Sequence, residues 1–138
     1  MNKRSVLLFR ILMILYIAAV AVLCFARFKN LADVPTTLFG LEMDQIVHFL
    51  MFLPFPLLAY LALGKQPGGP WKALGAVLLL FLAGSLIAAG TEIVQRFLPY
   101  RSADPLDFRA DALALAAGSL VTFIVMLCQG VRSSRSAR

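Results

Sequence analysis

Apolar residues in this chain fall in four long, nearly unbroken stretches rather than in the alternating pattern of strands. The stretches cover residues 5–26, 45–63, 72–97 and 105–129. A bilayer hydrocarbon core of about 30 Å is crossed by roughly 20 helical residues, so each stretch is long enough to span it. Because only helices and closed barrels satisfy the backbone in lipid, the pattern predicts an all-α bundle of four transmembrane helices.

The polar links between these stretches differ in length and in turn residues. Residues 27–44 form a long first loop, GKQPGGP at 64–70 is typical of a tight turn, and residues 98–104 connect the last two helices. Inside the second stretch, Pro54 removes the N–H that would bond to the Leu50 carbonyl, and Pro56 follows it. The second helix is therefore predicted to kink here.

Composition supports a membrane protein. Hydrophobic residues make up 61% of the 138 positions and charged residues 14%, with a mean hydropathy of +0.86. Soluble domains are nearer to half apolar and about a quarter charged, and so short a soluble chain could not bury this much apolar surface. We predict a single polytopic membrane domain over residues 1–138.

The first stretch has one alternative interpretation. Lys3 and Arg4 precede an apolar run, as they would in a cleaved signal peptide. However, the sequence Cys24-Phe25-Ala26 is a poor small-x-small cleavage site. A retained first transmembrane helix is therefore favoured.

The distribution of Lys and Arg predicts the orientation in the membrane. The N-terminal segment, the second link and the C-terminal segment hold eight of the thirteen basic residues, whereas the first and third links hold five. Cytoplasmic segments are enriched in Lys and Arg, so we predict that both termini are cytoplasmic. All seven acids lie in or beside the first and third links, which then face outside. No basic run with interleaved aromatics accompanies the net charge of +6, so no nucleic-acid partner is predicted.

The two cysteines, Cys24 and Cys128, both lie inside apolar stretches. In the predicted topology they are near opposite membrane faces. We therefore predict no disulfide between them, and we interpret them as small apolar residues.

One segment, TEIVQRFLPYRSADPLDFRAD at 91–111, gathers four of the seven acids. Three- and four-residue spacings place small and polar residues on one face of each of the last two helices. These residues are Gly84, Ala88, Glu92 and Gln95 in the third helix, and Asp107, Asp111, Ala114 and Gly118 in the fourth. Small residues let membrane helices approach closely. The short link is therefore predicted to set Glu92 and Gln95 opposite the two acids of the fourth helix.

Two helix starts add to this group. Asp104 is predicted to cap the fourth helix ahead of Pro105. In EMDQIVHFLMFLPFP, Asp44 is predicted to cap the second helix, and His48 lies one turn further along the same face. This helix end lies on the same side of the membrane as Glu92.

Charged side chains inside the membrane cost free energy, so we expect those near the helix ends to form pairs. Ionisable side chains in hydrocarbon cost a few kcal/mol unless they pair, meet water or serve a function. Glu92, Asp107 and Asp111 would repel one another unless they are neutralised or one stays protonated. The candidate partners are Arg101, Arg96 and His48. The predicted polar cluster consists of Asp44, His48, Glu92, Gln95, Arg101, Asp107 and Asp111.

The order of these residues resembles the VanZ-like family. D-x-x-x-H-F at 44–49 is followed by E-x-x-Q at 92–95 and by R-x5-D at 101–107, in a chain of four predicted membrane helices. The resemblance covers about residues 40–120. It implies an integral protein of the bacterial cytoplasmic membrane and cell envelope, and it associates the chain with resistance to the glycopeptide teicoplanin.

Three functions are open at this point. In the first, the outer-face cluster of a non-catalytic protein binds a polar or anionic head group of a lipid-linked cell-wall precursor, with Arg101 as the phosphate partner. In the second, the protein is an intramembrane enzyme acting on such a lipid, with Glu92 or His48 as general base. A divalent metal could also act there, held by His48, Glu92, Asp107 and Asp111. In the third, the cluster only fixes the helices.

Catalysis is the least favoured of the three functions. No specific metal-binding signature is present, and the sequence identifies no Ser or Cys nucleophile with an activating base at the cluster. We therefore predict no cofactor and no metal, with membrane lipid as the partner.

Overall fold

The computed structural model describes residues 2–26, 37–38, 41–100 and 104–136, of which residues 38, 41 and 132–136 are described by backbone alone. Helices dominate the described part of the chain. They are α1 (Lys3–Phe25), α2 (Met43–Phe52), α3 (Phe55–Leu63), α4 (Pro70–Gln95) and α5 (Pro105–Ser136). Two two-residue strands, β1 (Thr37–Leu38) and β2 (Leu41–Glu42), pair antiparallel just before α2.

The described helices provide four apolar spans. They are α1, the combined α2 and α3 (Met43–Leu63), α4, and Pro105–Val131 of α5. Their outward faces carry large apolar side chains, such as Ile14, Leu79 and Leu86, which are 67%, 70% and 75% exposed. Lipid solvates such a surface, whereas water would not. The predicted all-α four-helix bundle is confirmed, and the chain is a multi-pass membrane protein.

The predicted helix boundaries agree with the structure to one or two residues at most ends. The first helix begins at Lys3 instead of residue 5, and the second span begins at Met43 instead of residue 45. The largest difference is at the end of α5, which reaches Ser136 instead of stopping at residue 129. A polar tail can continue a helix beyond the hydrocarbon, because the helix satisfies its own backbone there as well.

Pro54 divides the second span into two helices. The Leu53 N–H donates to the Phe49 carbonyl at 3.0 Å, and the Leu58 N–H donates to the Pro54 carbonyl at 3.0 Å. Because Pro54 has no N–H, the hydrogen-bond ladder is interrupted between these two turns. The predicted kink is confirmed as a break between α2 and α3.

The opposite end of the bundle is closed by the link between α3 and α4. α3 ends at Gly64, whose φ of +67° is the left-handed conformation that glycine adopts most readily. Arg10 of α1 donates its Nε–H to the Ala62 carbonyl at 3.2 Å, which satisfies one carbonyl in the last turn of α3. Pro70 is the first residue of α4, as expected for a helix start.

Helix packing places α5 at the centre of the bundle. α5 packs along α4 and also against α2 and α3, while α1 packs mainly against α3. The core between these helices is apolar around the α2–α3 break. Its most deeply buried members are Cys24, Phe52, Ala88, Ala114 and Leu115. Cys24 is buried, Cys128 is exposed, and the two form no disulfide, as predicted.

Two glycines allow the helices to approach closely. A Cβ atom on Gly118 would collide with the backbone carbonyl oxygen of Leu53 and would lie 3.1 Å from the Pro56 ring. A Cβ atom on Gly84 would collide with the Leu115 side chain. Gly84 faces α5, and Gly118 faces the α2–α3 break. The small-residue seam of α4 therefore packs against α5 as predicted, whereas Gly118 in the seam of α5 packs against the α2–α3 break and not against α4.

Candidate functional site

The candidate site lies where the start of α2, the end of α4 and the start of α5 meet. His48, Glu92 and Asp111 come together there, with exposed fractions of only 2%, 7% and 0%. We call these three residues the buried cluster. At about 1.5 Å of rise per helical residue, they lie roughly 5–9 Å inside the ends of their helices. The polar side chains of the buried cluster therefore lie about one to two helical turns below this end of the bundle.

His48 and Asp111 form the closest contact in the buried cluster. The His48 Nδ1 atom lies 3.1 Å from Asp111 Oδ1 and 3.2 Å from Asp111 Oδ2. The Nδ1–H tautomer donates to both oxygens and ties α2 to α5. The sequence predicted that His48 would lie on the Asp111 side of the bundle, and this is confirmed.

Glu92 approaches the same pair from α4. Its Oε1 atom lies 4.0 Å from His48 Nδ1, which is beyond hydrogen-bond distance. Within the described part of the chain, this buried oxygen has no hydrogen-bond partner. One ligand atom from each of the three residues lies within 4.8 Å of the others. The arrangement therefore contains two carboxylates and one imidazole, with one carboxylate oxygen unsatisfied.

Gln95 ties α4 to the end of α1. Its Nε2 atom donates to the Cys24 carbonyl oxygen at 3.2 Å, in the last turn of α1. Carbonyls in a last helical turn have no partner within the helix, so the side chain satisfies a group that would otherwise need another donor. The Gln95 Oε1 atom is buried without a hydrogen-bond partner among the described residues.

The start of α5 supplies two further acids with different environments. The Asp104 side chain accepts the Leu106 N–H at 2.9 Å, so its predicted role as the cap is confirmed. Asp107 is 3% exposed and lies one turn before Asp111 on the same face. Asp107 therefore faces the bundle beside the buried cluster, as the sequence predicted.

Two predicted members of the polar cluster are not among the three residues of the buried cluster. The prediction that Asp44 caps α2 is wrong, because α2 begins at Met43 with Glu42 in the cap position. Asp44 is exposed and lies in the first turn, where an acid interacts favourably with the helix dipole. Strand β2 ends at Glu42 and α2 follows at once, so the helix begins two residues earlier than predicted. Arg101 lies outside the described residues, so its pairing with the acids stays a prediction.

One polar contact near the site had no signal in the sequence. The Tyr16 hydroxyl donates to the Met51 carbonyl oxygen at 2.6 Å, beside the α2–α3 break. The Pro54 kink indicated a freed carbonyl at Leu50, and the structure shows a side-chain donor at the next carbonyl along. Nothing in the spacing of α1 distinguishes Tyr16 from its apolar neighbours, so only tertiary packing identifies it.

The chemistry available to the buried cluster follows from its composition. Carboxylates accept hydrogen bonds and bind cations, and an imidazole beside a carboxylate can hold or move a proton. None of the three residues is a nucleophile of the Ser or Cys type. The cluster thus suits a ligand that brings donors or positive charge.

Comparison of the chain with known protein families, with curated protein sequences and with solved structures finds no match. The interpretation of the site therefore depends on its geometry and on its position in the membrane bundle.

Proposed function

We propose that the chain is a VanZ-like protein of the bacterial cytoplasmic membrane that binds the polar head group of a lipid-linked cell-wall intermediate at the buried cluster. The observation that carries the proposal is the Glu92 Oε1 atom, which is buried and has no hydrogen-bond partner among the described residues. A buried carboxylate oxygen that lacks a hydrogen-bond donor costs about 1–3 kcal/mol or more. A side chain that lowers stability in this way is more readily explained by ligand binding than by packing alone.

The depth of the cluster favours a lipid ligand. The buried cluster lies roughly 5–9 Å inside the helix ends by the helical rise; with those ends at the membrane surface, this is the depth at which lipid head groups meet the hydrocarbon. A lipid can reach this depth laterally from the bilayer, whereas a soluble metabolite must enter between the links. We place this end of the bundle outside the cytoplasm, because the other end carries eight of the thirteen basic residues.

The charge of the cluster indicates which part of the head group it recognises. Glu92 and Asp111 accept hydrogen bonds, so they suit hydroxyl, amide or ammonium groups of a sugar or peptide. An anionic phosphate on the same lipid needs a cationic partner, and we assign this role to Arg101. We therefore propose that Glu92 and Asp111 bind the hydrogen-bond donors of the head group and that Arg101 binds its phosphate.

A second candidate function is supported by the His48–Asp111 contact. A carboxylate that holds an imidazole in one tautomer is a common way to orient a general base. In this alternative, the protein is an intramembrane enzyme and His48 takes a proton from the lipid head group. Turnover of the bound lipid by wild type, and its loss in His48→Gln with lipid binding retained, would distinguish the enzyme from the binding protein.

The direct test is native mass spectrometry of protein extracted gently from bacterial membranes. Wild type, Glu92→Gln and Arg101→Ala are compared at matched abundance, with Glu42→Gln as the control, because Glu42 is an exposed acid outside the buried cluster. We expect a lipid-linked phosphate on wild type and Glu42→Gln, and little of it on the other two variants. Equal lipid on all four proteins, or none on wild type, would contradict the proposal.

The association with glycopeptide resistance is tested separately. If the bound intermediate is a target of teicoplanin, expression of wild type should raise the teicoplanin concentration that inhibits a susceptible host, and Glu92→Gln should not. If the same teicoplanin concentration inhibits the host with and without expression of the wild-type protein, the chain has no role in resistance. That result would not affect the separate test of lipid binding.

A further inference from the structure

The three side chains of the buried cluster come from three different helices, and one ligand atom of each lies within 4.8 Å of the other two. We infer that His48, Glu92 and Asp111 form a binding site for one divalent metal ion. The inference concerns the same cluster as the proposed function but does not require it, because the metal site stands whether or not a head group binds.

The distances fit a small ion. Zinc-like ions bind imidazole nitrogen and carboxylate oxygen at about 2.0–2.2 Å, so two ligands of one ion lie roughly 3–4 Å apart. His48 Nδ1 is 3.1 Å from Asp111 Oδ1 and 4.0 Å from Glu92 Oε1. Ligand atoms from all three residues lie within 4.8 Å of one another, and two bonds of about 2.2 Å span at most about 4.4 Å, so the side chains have to move slightly closer to share one ion. Because His48 would bind through Nδ1, the ion would replace the proton that Nδ1 donates to Asp111, and the imidazole would carry its proton on Nε2.

Glu92 supplies an independent reason to expect a cation. Its side chain is more than nine-tenths buried, and its Oε1 atom has no hydrogen-bond partner in the part of the chain that the structure describes. That oxygen lies on the His48 side of Glu92, 4.0 Å from the imidazole. A divalent ion between them would satisfy this oxygen and would also neutralise the two buried carboxylates, which otherwise repel each other.

The ligand types indicate which ions fit. Imidazole nitrogen suits zinc, iron and other transition metals, whereas magnesium and calcium prefer sites made entirely of oxygen ligands. One imidazole and two carboxylates therefore favour Zn²⁺ or Mn²⁺. Three protein ligands leave a coordination position open.

The experiment measures metal binding alone, without added lipid. The full chain is purified in detergent with a tag that contains no histidine, stripped with a chelator, incubated with Zn²⁺ or Mn²⁺ and desalted, and its metal content is determined by inductively coupled plasma mass spectrometry. Wild type is compared with Glu92→Gln and Asp111→Asn, and with Glu42→Gln as the matched control, because Glu42 is an exposed acid outside the buried cluster. We expect about one ion per chain on wild type and the control, and at least about tenfold less bound ion on the other two when the ion is limiting.

Two results would overturn the inference. One is wild type that retains neither ion, and the other is Glu92→Gln that binds the ion as wild type does. Should Asp111→Asn fail to fold, wild type and Glu92→Gln still decide the matter, because Glu92 makes no hydrogen bond through Oε1 within the described residues. Co²⁺ in place of Zn²⁺ should give the visible absorption of a nitrogen- and oxygen-liganded ion, which Glu92→Gln should change.

The outcome is separable from that of the proposed function. A metal-loaded wild type that carries no lipid in native mass spectrometry would support the metal site and would reject head-group binding. A lipid-loaded wild type that takes up neither ion after stripping would do the opposite.

Discussion

The His48 imidazole and the Asp111 carboxylate lie 3.1 Å apart and join two helices whose contacting residues are 63 positions apart in the sequence. The contact is buried, with Asp111 fully enclosed. It connects the first half of the broken second span to the central helix of the bundle. The same contact positions two of the three residues that converge with Glu92, so the fold and the site depend on it together.

Removing this contact should destabilise the bundle through a pairwise interaction. Hydrogen bonds between membrane helices contribute about 0.6 kcal/mol on average and up to about 1.7 kcal/mol. We expect His48→Ala and Asp111→Ala each to lower the free energy of unfolding, with a coupling energy of about 1 kcal/mol between them. Unfolding by SDS titration of the two single variants and the double variant measures this coupling. Strict additivity would show that the contact contributes nothing of its own.

Gly118 should be intolerant of even one added methyl group. Its Cβ would collide with the Leu53 carbonyl oxygen, which belongs to the backbone and cannot rotate away, so we expect Gly118→Ala to cost about 1–3 kcal/mol. Gly90→Ala is the matched control on α4, because a Cβ at Gly90 meets no heavy atom within 4 Å. Helix propensity predicts that the control is neutral or stabilising by up to about 1 kcal/mol. Equal stability of the two variants would contradict the close approach of α5 to the α2–α3 break.

The hydroxyl of Tyr16 should stabilise the break itself. Tyr16→Phe removes the donor to the Met51 carbonyl and leaves the ring in place, so we expect a loss of about 0.5–1.5 kcal/mol. The measurement is again the free energy of unfolding in SDS titration. A variant as stable as wild type would mean that water or another donor replaces the hydroxyl at no cost.

The orientation can be tested with single cysteines in a protein that lacks Cys24 and Cys128. We predict that Gly68→Cys, in the link between α3 and α4, reacts with a membrane-impermeant thiol reagent only after the cells are opened. Glu42→Cys, at the other end of the bundle, should react in intact cells. Both positions are exposed, so accessibility to solvent does not limit either reaction. The reverse pattern would place the termini outside the cytoplasm and the buried cluster at the inner face.

The sequence predicts much of this architecture because lipid leaves few alternatives. Hydrophobic length alone locates four spans, and Pro54 alone locates the break, since both follow from backbone hydrogen bonding. The faces that carry Gly84 and Gly118 follow from helical spacing. These features depend on local rules, which the sequence contains in full.

Tertiary details of the site are less predictable. Asp44 has the sequence signature of a cap, but the preceding hairpin moves the helix start and leaves it exposed. Tyr16 resembles any aromatic residue in an apolar helix until its contact with Met51 is known. Whether Glu92 Oε1 finds a hydrogen-bond donor depends on distances between three helices, and these distances cannot be predicted from residue spacing.

The central claim is that Glu92 is placed for a ligand and not for the stability of the fold. The most direct measurement is the free energy of unfolding of Glu92→Gln against wild type, with both proteins stripped of lipid and metal. Because Oε1 makes no hydrogen bond within the described residues, removing the buried charge should leave stability unchanged or raise it by up to about 1 kcal/mol. A loss of more than about 1 kcal/mol, comparable to that of Asp111→Ala, would contradict the claim and would make the cluster a structural node.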